Sequence, residues 1–144
     1  MWPVSVGIYN KSSGKISIEL FVKEGLNNSE VFPLMISRFD SEFADSAFRN
    51  VSPLKIDTVE THLKTVYQLL PGECLTIASY WDDEYRGYAY YQSPEGLSKN
   101  HEQQKLSQVV IHRAGMTISG SPDHLDGLVK SLNREKKVWG IVIQ

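Results

Sequence analysis

Apolar and polar residues alternate from the start of the chain. Val4, Val6 and Ile8 alternate with Ser5, Gly7 and Tyr9, and Ile16, Ile18, Leu20 and Val22 alternate with Ser17, Glu19, Phe21 and Lys23. Successive side chains of a strand point to opposite faces, so a period of two describes a strand with one buried face, and two such strands are expected. The residues between them, Asn10-Lys11-Ser12-Ser13-Gly14-Lys15, favour a turn, because Gly reaches positive φ and Asn or Ser can bond their own backbone. A hairpin loop is the expectation there.

Further on the period changes. Phe32, Ile36, Phe39, Phe43 and Ala47 recur at intervals of three and four, which predicts a helix near residues 34–48 with Pro33 in its first turn. Residues 59–70 are open between two readings: Val59, Leu63, Val66 and Leu70 suit a helix face, whereas the Pro71-Gly72 that follows suits a strand end, and the later part reads as strand. Pro71-Gly72-Glu73 is a turn. Residues 74–81 and 85–92, rich in β-branched and aromatic side chains on either side of Asp82-Asp83-Glu84, predict a second strand pair. Val109-Val110-Ile111, the Ala114-Gly115 turn and Met116-Thr117-Ile118 predict a third hairpin. Ser121-Pro122-Asp123 has the form of a helix start, with Leu125, Leu128, Val129 and Leu132 as the apolar face, and residues 138–143 supply a closing strand. No repeat or linker divides the chain. The expectation is one domain over residues 1–144, mainly β (α+β): a β-sandwich with a helical insertion and a C-terminal helix plus strand.

Bulk properties narrow the function classes. A chain of 144 residues with 41% hydrophobic and 22% charged residues has the composition of an ordinary globular domain, which argues against disorder. Fifteen basic residues against 17 acidic ones leave a net charge of −2, so no global field draws in nucleic acid. Cys74 is the only cysteine; an internal disulfide is excluded and the redox compartment stays open. The apolar runs are far shorter than the ~20 residues of a membrane-spanning helix. Met1-Trp2-Pro3 lacks the basic and apolar regions of a signal peptide, so the protein is expected either in the cytoplasm or with its targeting segment removed.

Candidate chemistry is sparse. His62, His101, His112 and His124 show no metal-ligand spacing, and neither a metal nor a cofactor is expected. His62 and His112 fall in predicted strands and read as ordinary surface or hydrogen-bonded histidines. Cys74 has no adjacent base and reads as a small buried hydrophobe. Ser13-Gly14-Lys15 matches the tail of a phosphate loop, but Tyr9 and Ile16 stand where that loop needs Gly and Ser or Thr. Asp82, Asp83 and Glu84 are neighbours along a turn rather than carboxylates facing each other across a substrate. Around them Tyr80, Trp81, Tyr85, Tyr88, Tyr90 and Tyr91 form the densest aromatic stretch of the chain. Two readings of it stay open, interface anchors or the core and rim of a sandwich. A non-enzymatic, protein-binding role is expected, with Trp81, Asp82, Asp83, Glu84 and Tyr85 among the candidate partner-binding residues.

Ile18-Glu19-Leu20-Phe21, Phe39-Asp40-Ser41-Glu42-Phe43-Ala44, Leu70-Pro71-Gly72-Glu73 and Tyr85-Arg86-Gly87-Tyr88-Ala89-Tyr90-Tyr91 occur in an order that resembles the TssJ (SciN-like) lipoproteins of bacterial type VI secretion systems. The resemblance spans about residues 4–119. It implies a transthyretin-like sandwich with a helical insertion, in the periplasm and tethered to the outer membrane, docking onto the periplasmic part of the inner-membrane TssM subunit. The loop joining the first two strands is a contact site in that family, which adds Asn10, Lys11, Ser12, Ser13, Gly14 and Lys15 to the candidate partner-binding residues. The chain departs from the family in having no cysteine near its start. The alternative is a small cytoplasmic immunity protein that neutralises a toxin domain, its acidic and aromatic stretch opposing a basic active site.

Overall fold

The computed structural model describes residues 2–22, 34–59, 62–82, 106–121, 124, 127–136 and 138–144. Among them lie eleven strands: β1 (Trp2–Asn10), β2 (Ile16–Val22), β3 (Leu34–Phe39), β4 (Asp45–Val51), β5 (Lys55–Val59), β6 (His62–Leu69), β7 (Glu73–Asp82), β8 (Leu106–Arg113), β9 (Met116–Gly120), β10 (Lys130–Asn133) and β11 (Val138–Ile143). They form two sheets, a six-stranded one in the order β10-β11-β1-β7-β3-β4 and a five-stranded one in the order β5-β6-β2-β8-β9. The two sheets face each other across a shared core.

The alternation seen in the sequence builds that core. On β2, Ile16, Ile18, Leu20 and Val22 are buried while the residues between them are half-buried. Val6 and Ile8 of β1, Tyr67 and Leu69 of β6, Leu75 and Ile77 of β7, Val109 and Ile111 of β8, and Ile141 and Ile143 of β11 complete it. Each such aliphatic side chain contributes roughly 1.5–3 kcal/mol by leaving water. The predicted β8–β9 hairpin and closing strand are present, and the later part of residues 59–70 is strand β6. Residues 85–92 lie outside the described residues.

Three expectations are corrected. Residues 34–48 are not a helix but the antiparallel pair β3 and β4. The cause is the turn between them: Asp40 Oδ1 accepts the N–H groups of Glu42 and Ala44, each at 2.9 Å, and Phe43 takes a left-handed φ of 58°. Phe39 and Phe43, four residues apart, flank that turn and fold together over one face of the sheet, which imitates a helical period. Of the expected C-terminal helix the described residues show only His124, Gly127 and Leu128 in helical conformation. Leu132, assigned to that helix face, lies in β10, where Asn133 Oδ1 accepts the Lys136 N–H and closes the turn into β11. Finally, residues 10–15 are not a hairpin loop. β1 and β2 belong to different sheets, so this link turns a corner of the sandwich.

A second, smaller cluster covers the outer face of the six-stranded sheet. Tyr9 and Cys74, both buried, pack there with Val138, Phe39, Phe43, Leu132 and Val142. Phe39 and Phe43 meet the Tyr9 ring edge-on at centroid distances of 5.0 and 5.4 Å. Gly7 and Gly140, paired across β1 and β11, lie under Tyr9 and leave the space its ring occupies.

Candidate functional site

The link between β1 and β2 is organised by one buried side chain. Asn10 Nδ2 donates to the carbonyls of Gly14 at 2.9 Å and Leu69 at 3.1 Å, while its Oδ1 accepts the Ser12 N–H at 3.1 Å. The Ser12 hydroxyl lies 2.6 Å from the same Oδ1. The Asn10 carbonyl accepts the Gly72 N–H, and the Lys11 N–H donates to the carbonyl of Ile143. Held at both sheets, the link presents Lys11, Ser13, Gly14 and Lys15 to solvent. Asn10 itself is fully buried, so its part is to shape the link rather than to offer a surface.

Ser12, Ser13, Gly14 and Lys15 form one wall of a cleft of about 330 Å³ whose other wall is Arg113, Ala114 and Gln144. Lys11 is turned the other way, its ammonium 5.4 Å from the centroid of the Phe43 ring. Arg113 and Gln144 also border a larger lateral groove of about 640 Å³, where Met116, Ile118, Leu128 and Ile141 supply apolar walls and Lys130 a further cation. Among the described residues, none that lines either cavity has an acidic side chain. Sequence reasoning missed Arg113 and Gln144. The Ala114-Gly115 turn was visible, but nothing in the sequence places it opposite residues 12–15.

The other predicted stretch sits elsewhere. Trp81 and Asp82 end β7, opposite Pro3 and Trp2 of β1, while Cys74 at the other end of β7 pairs with Tyr9. The nine residues of β1 therefore separate Asp82 from the link by roughly 25 Å at the rise of a strand. Asp83, Glu84 and Tyr85 lie outside the described residues. Trp81 and Asp82 are not brought together with residues 10–15.

Two further polar arrangements bear on chemistry. On the outer face of the five-stranded sheet, Glu19 of β2 lies between Lys64 of β6 at 3.2 Å and His112 Nε2 of β8 at 3.0 Å, and His112 Nδ1 lies 3.3 Å from the Thr117 hydroxyl of β9. The hydrogen bond from His112, opposed by partial burial and joined by Lys64, holds the Glu19 carboxyl below the usual range. Hydroxyl, imidazole and carboxylate stand here in the order of a hydrolytic relay. However, among the described residues they lie on a sheet face, Thr117 is exposed, and neither the cleft nor the groove is lined by any of them.

The second arrangement is buried. The Tyr9 hydroxyl donates to Asp45 Oδ2 at 3.1 Å beside Cys74. Burial, then the nearby Asp45 charge, pushes the Cys74 thiol up, so it stays protonated and is unsuited to nucleophilic attack. Burial likewise raises the Asp45 carboxyl against the opposing bond from Tyr9 and the neighbouring Ser37 hydroxyl. Among the described residues no group of three His, Cys, Asp or Glu side chains is placed to hold a metal ion, and no helix is long and apolar enough to cross a membrane.

Comparison of the chain with family models, with curated proteins and with solved structures finds no match.

Proposed function

We propose that this chain is a non-enzymatic protein-binding domain whose partner docks at the end of the sandwich built by the β1–β2 link. The observation that carries the reading is the link itself. A fully buried asparagine ties the link to β6, the Lys11 N–H ties it to β11, and Ser12, Ser13, Gly14 and Lys15 then line a cleft. A preorganised loop with exposed polar side chains loses little entropy on binding, the usual economy of a recognition surface.

In the form suggested by the resemblance, the domain is a transthyretin-like periplasmic scaffold of a secretion apparatus, and the docked partner is an inner-membrane subunit. The immunity-protein alternative uses the acidic and aromatic stretch beginning at Trp81 and Asp82, at the opposite end of β1 and β7. One experiment separates the two. A photo-crosslinking side chain is placed at Ser13 in one variant and at Asp82 in another, and each is irradiated in the cells to which the chain is native. A discrete adduct from position 13 and none from position 82 is expected. An adduct from position 82 alone would favour the toxin-binding alternative, and none from either position counts against protein binding at both ends. Replacing residues 11–14 should abolish the adduct partner's retention in a pull-down with little change in melting temperature, because those side chains add little to the core.

A further inference from the structure

The cleft beside the link and the lateral groove share Arg113 and Gln144 and so adjoin, making a depression with two arms. Its chemistry changes along its length. At the link end stand Lys15, Arg113 and the Ser12 and Ser13 residues; along the sandwich edge stand Met116, Ile118 and Leu128, with Lys130 beyond. Met116 is 41% exposed although it is large and apolar. Among the described residues neither Lys15, Arg113 nor Lys130 is in an ion pair, and no lining residue is acidic, although the chain as a whole is net negative. β9, which carries Met116 and Ile118, is the last strand of its sheet among the described residues and pairs only with β8.

We propose that this depression binds an extended segment of a partner protein that carries a carboxylate beside apolar residues, the carboxylate seated between Lys15 and Arg113 and the apolar side chains on Met116, Ile118 and Leu128. The inference rests on the protein-binding reading and adds to it the chemistry of the bound segment. Charge complementarity selects the carboxylate: a guanidinium takes it in paired hydrogen bonds, and the ammonium adds a second positive charge. The apolar wall selects a peptide over a polyanion, because a nucleic-acid strand would set phosphates against Met116 and Leu128 and find, among the described residues, three cations spaced along the cavity. A strand edge with no partner among the described residues favours an extended conformation, whose alternate side chains then face the groove.

The test is selection from a random-peptide display library on the immobilised full chain, repeated on Lys15→Glu/Arg113→Glu and on Met116→Asp, with melting temperatures confirming that each variant is folded. Selected peptides should be rich in Asp or Glu next to Leu, Ile or Phe. Synthetic versions should bind the charge-reversed variant more weakly by roughly tenfold or more, the effect of about 1.4 kcal/mol. They should also bind Met116→Asp more weakly, and a single-stranded oligonucleotide should not compete. Peptides with no acidic preference, or acidic peptides whose binding survives both variants, overturn the inference. Selection of no peptide, or displacement by the oligonucleotide, overturns it as well. A discrete crosslink from position 13 alongside any of those results leaves protein binding standing, whereas its absence removes both.

Discussion

Alanine at Gly140 tests how tightly the outer-face cluster is built. A Cβ there would stand 2.5 Å from the Gly7 carbonyl oxygen and 2.7 and 2.8 Å from two carbons of the Tyr9 ring, all well inside van der Waals contact. Neither neighbour yields easily. The Gly7 carbonyl belongs to a backbone paired on both sides, with β11 and with β7, and the Tyr9 ring is held by Phe39, Phe43 and its bond to Asp45. Overpacking of this kind costs about 3 kcal/mol, from which the reduced backbone freedom of alanine in the unfolded chain subtracts about 0.5–1 kcal/mol. A net loss of about 2 kcal/mol follows, lowering the melting temperature by roughly 5–8 °C for a domain of this size. Urea denaturation of Gly140→Ala, Tyr9→Ala and the double variant gives the coupling: removing the ring relieves part of the clash, so the double variant should be more stable than the two single losses predict by about 1 kcal/mol. Gly14→Ala is the control, since nothing lies within 4 Å of a Cβ there and little change is expected. A Gly140→Ala variant within about 0.5 kcal/mol of the parent, or strict additivity with Tyr9→Ala, would refute the packing argument.

Other consequences can be checked on the same purified chain. Asn10→Ala leaves the Gly14 and Leu69 carbonyls without their donor in a buried setting and should lose about 2–3 kcal/mol in urea denaturation, whereas Ser13→Ala should lose almost nothing. Asp45 is raised by burial, so its neutral form suits the fold. The stability it contributes is present below the unfolded carboxylate value and is lost as pH rises through the higher folded value. Asp45→Asn should therefore gain on the parent in melting temperature on going from acidic to neutral pH; an unchanging difference would show that the carboxyl does not titrate in that range. Glu19 behaves in the opposite sense. Its lowered carboxyl contributes stability above the unfolded value that is lost as pH falls, so Glu19→Gln should be less stable than the parent at neutral pH and converge with it in acid.

Strands were legible where one face is buried and the other is not, because burial then writes a period of two into the sequence, as on β2, and the β8–β9 hairpin was legible from its apolar run Val109-Val110-Ile111 and the Ala114-Gly115 turn. The rule failed at β3, which sends side chains into both clusters at irregular spacing. On β3, Leu34 and Ile36 enter the main core while Phe39 joins the cluster on the outer face, and the mixture has the spacing of a helix. Strand partnership was not legible either. Nothing local tells a hairpin loop from a link that turns between sheets, and Asn10 reads as an exposed turn residue although its side chain is the buried anchor of the link. For the candidate site, residues 12–15 were visible as a polar turn. Arg113 and Gln144 were not, because their place opposite that turn follows from strand order.

The parallel pairing of β1 with β11 joins segments roughly 130 residues apart along the chain. During synthesis the first strand emerges long before its neighbour exists, so one side of it must wait with its amide and carbonyl groups unsatisfied or loosely held. Closure of the six-stranded sheet on this side of β1 thus waits for residues 138–143, and a ribosome-bound chain stalled short of Val138 should remain sensitive to proteolysis along β1 even with β2 to β10 already released.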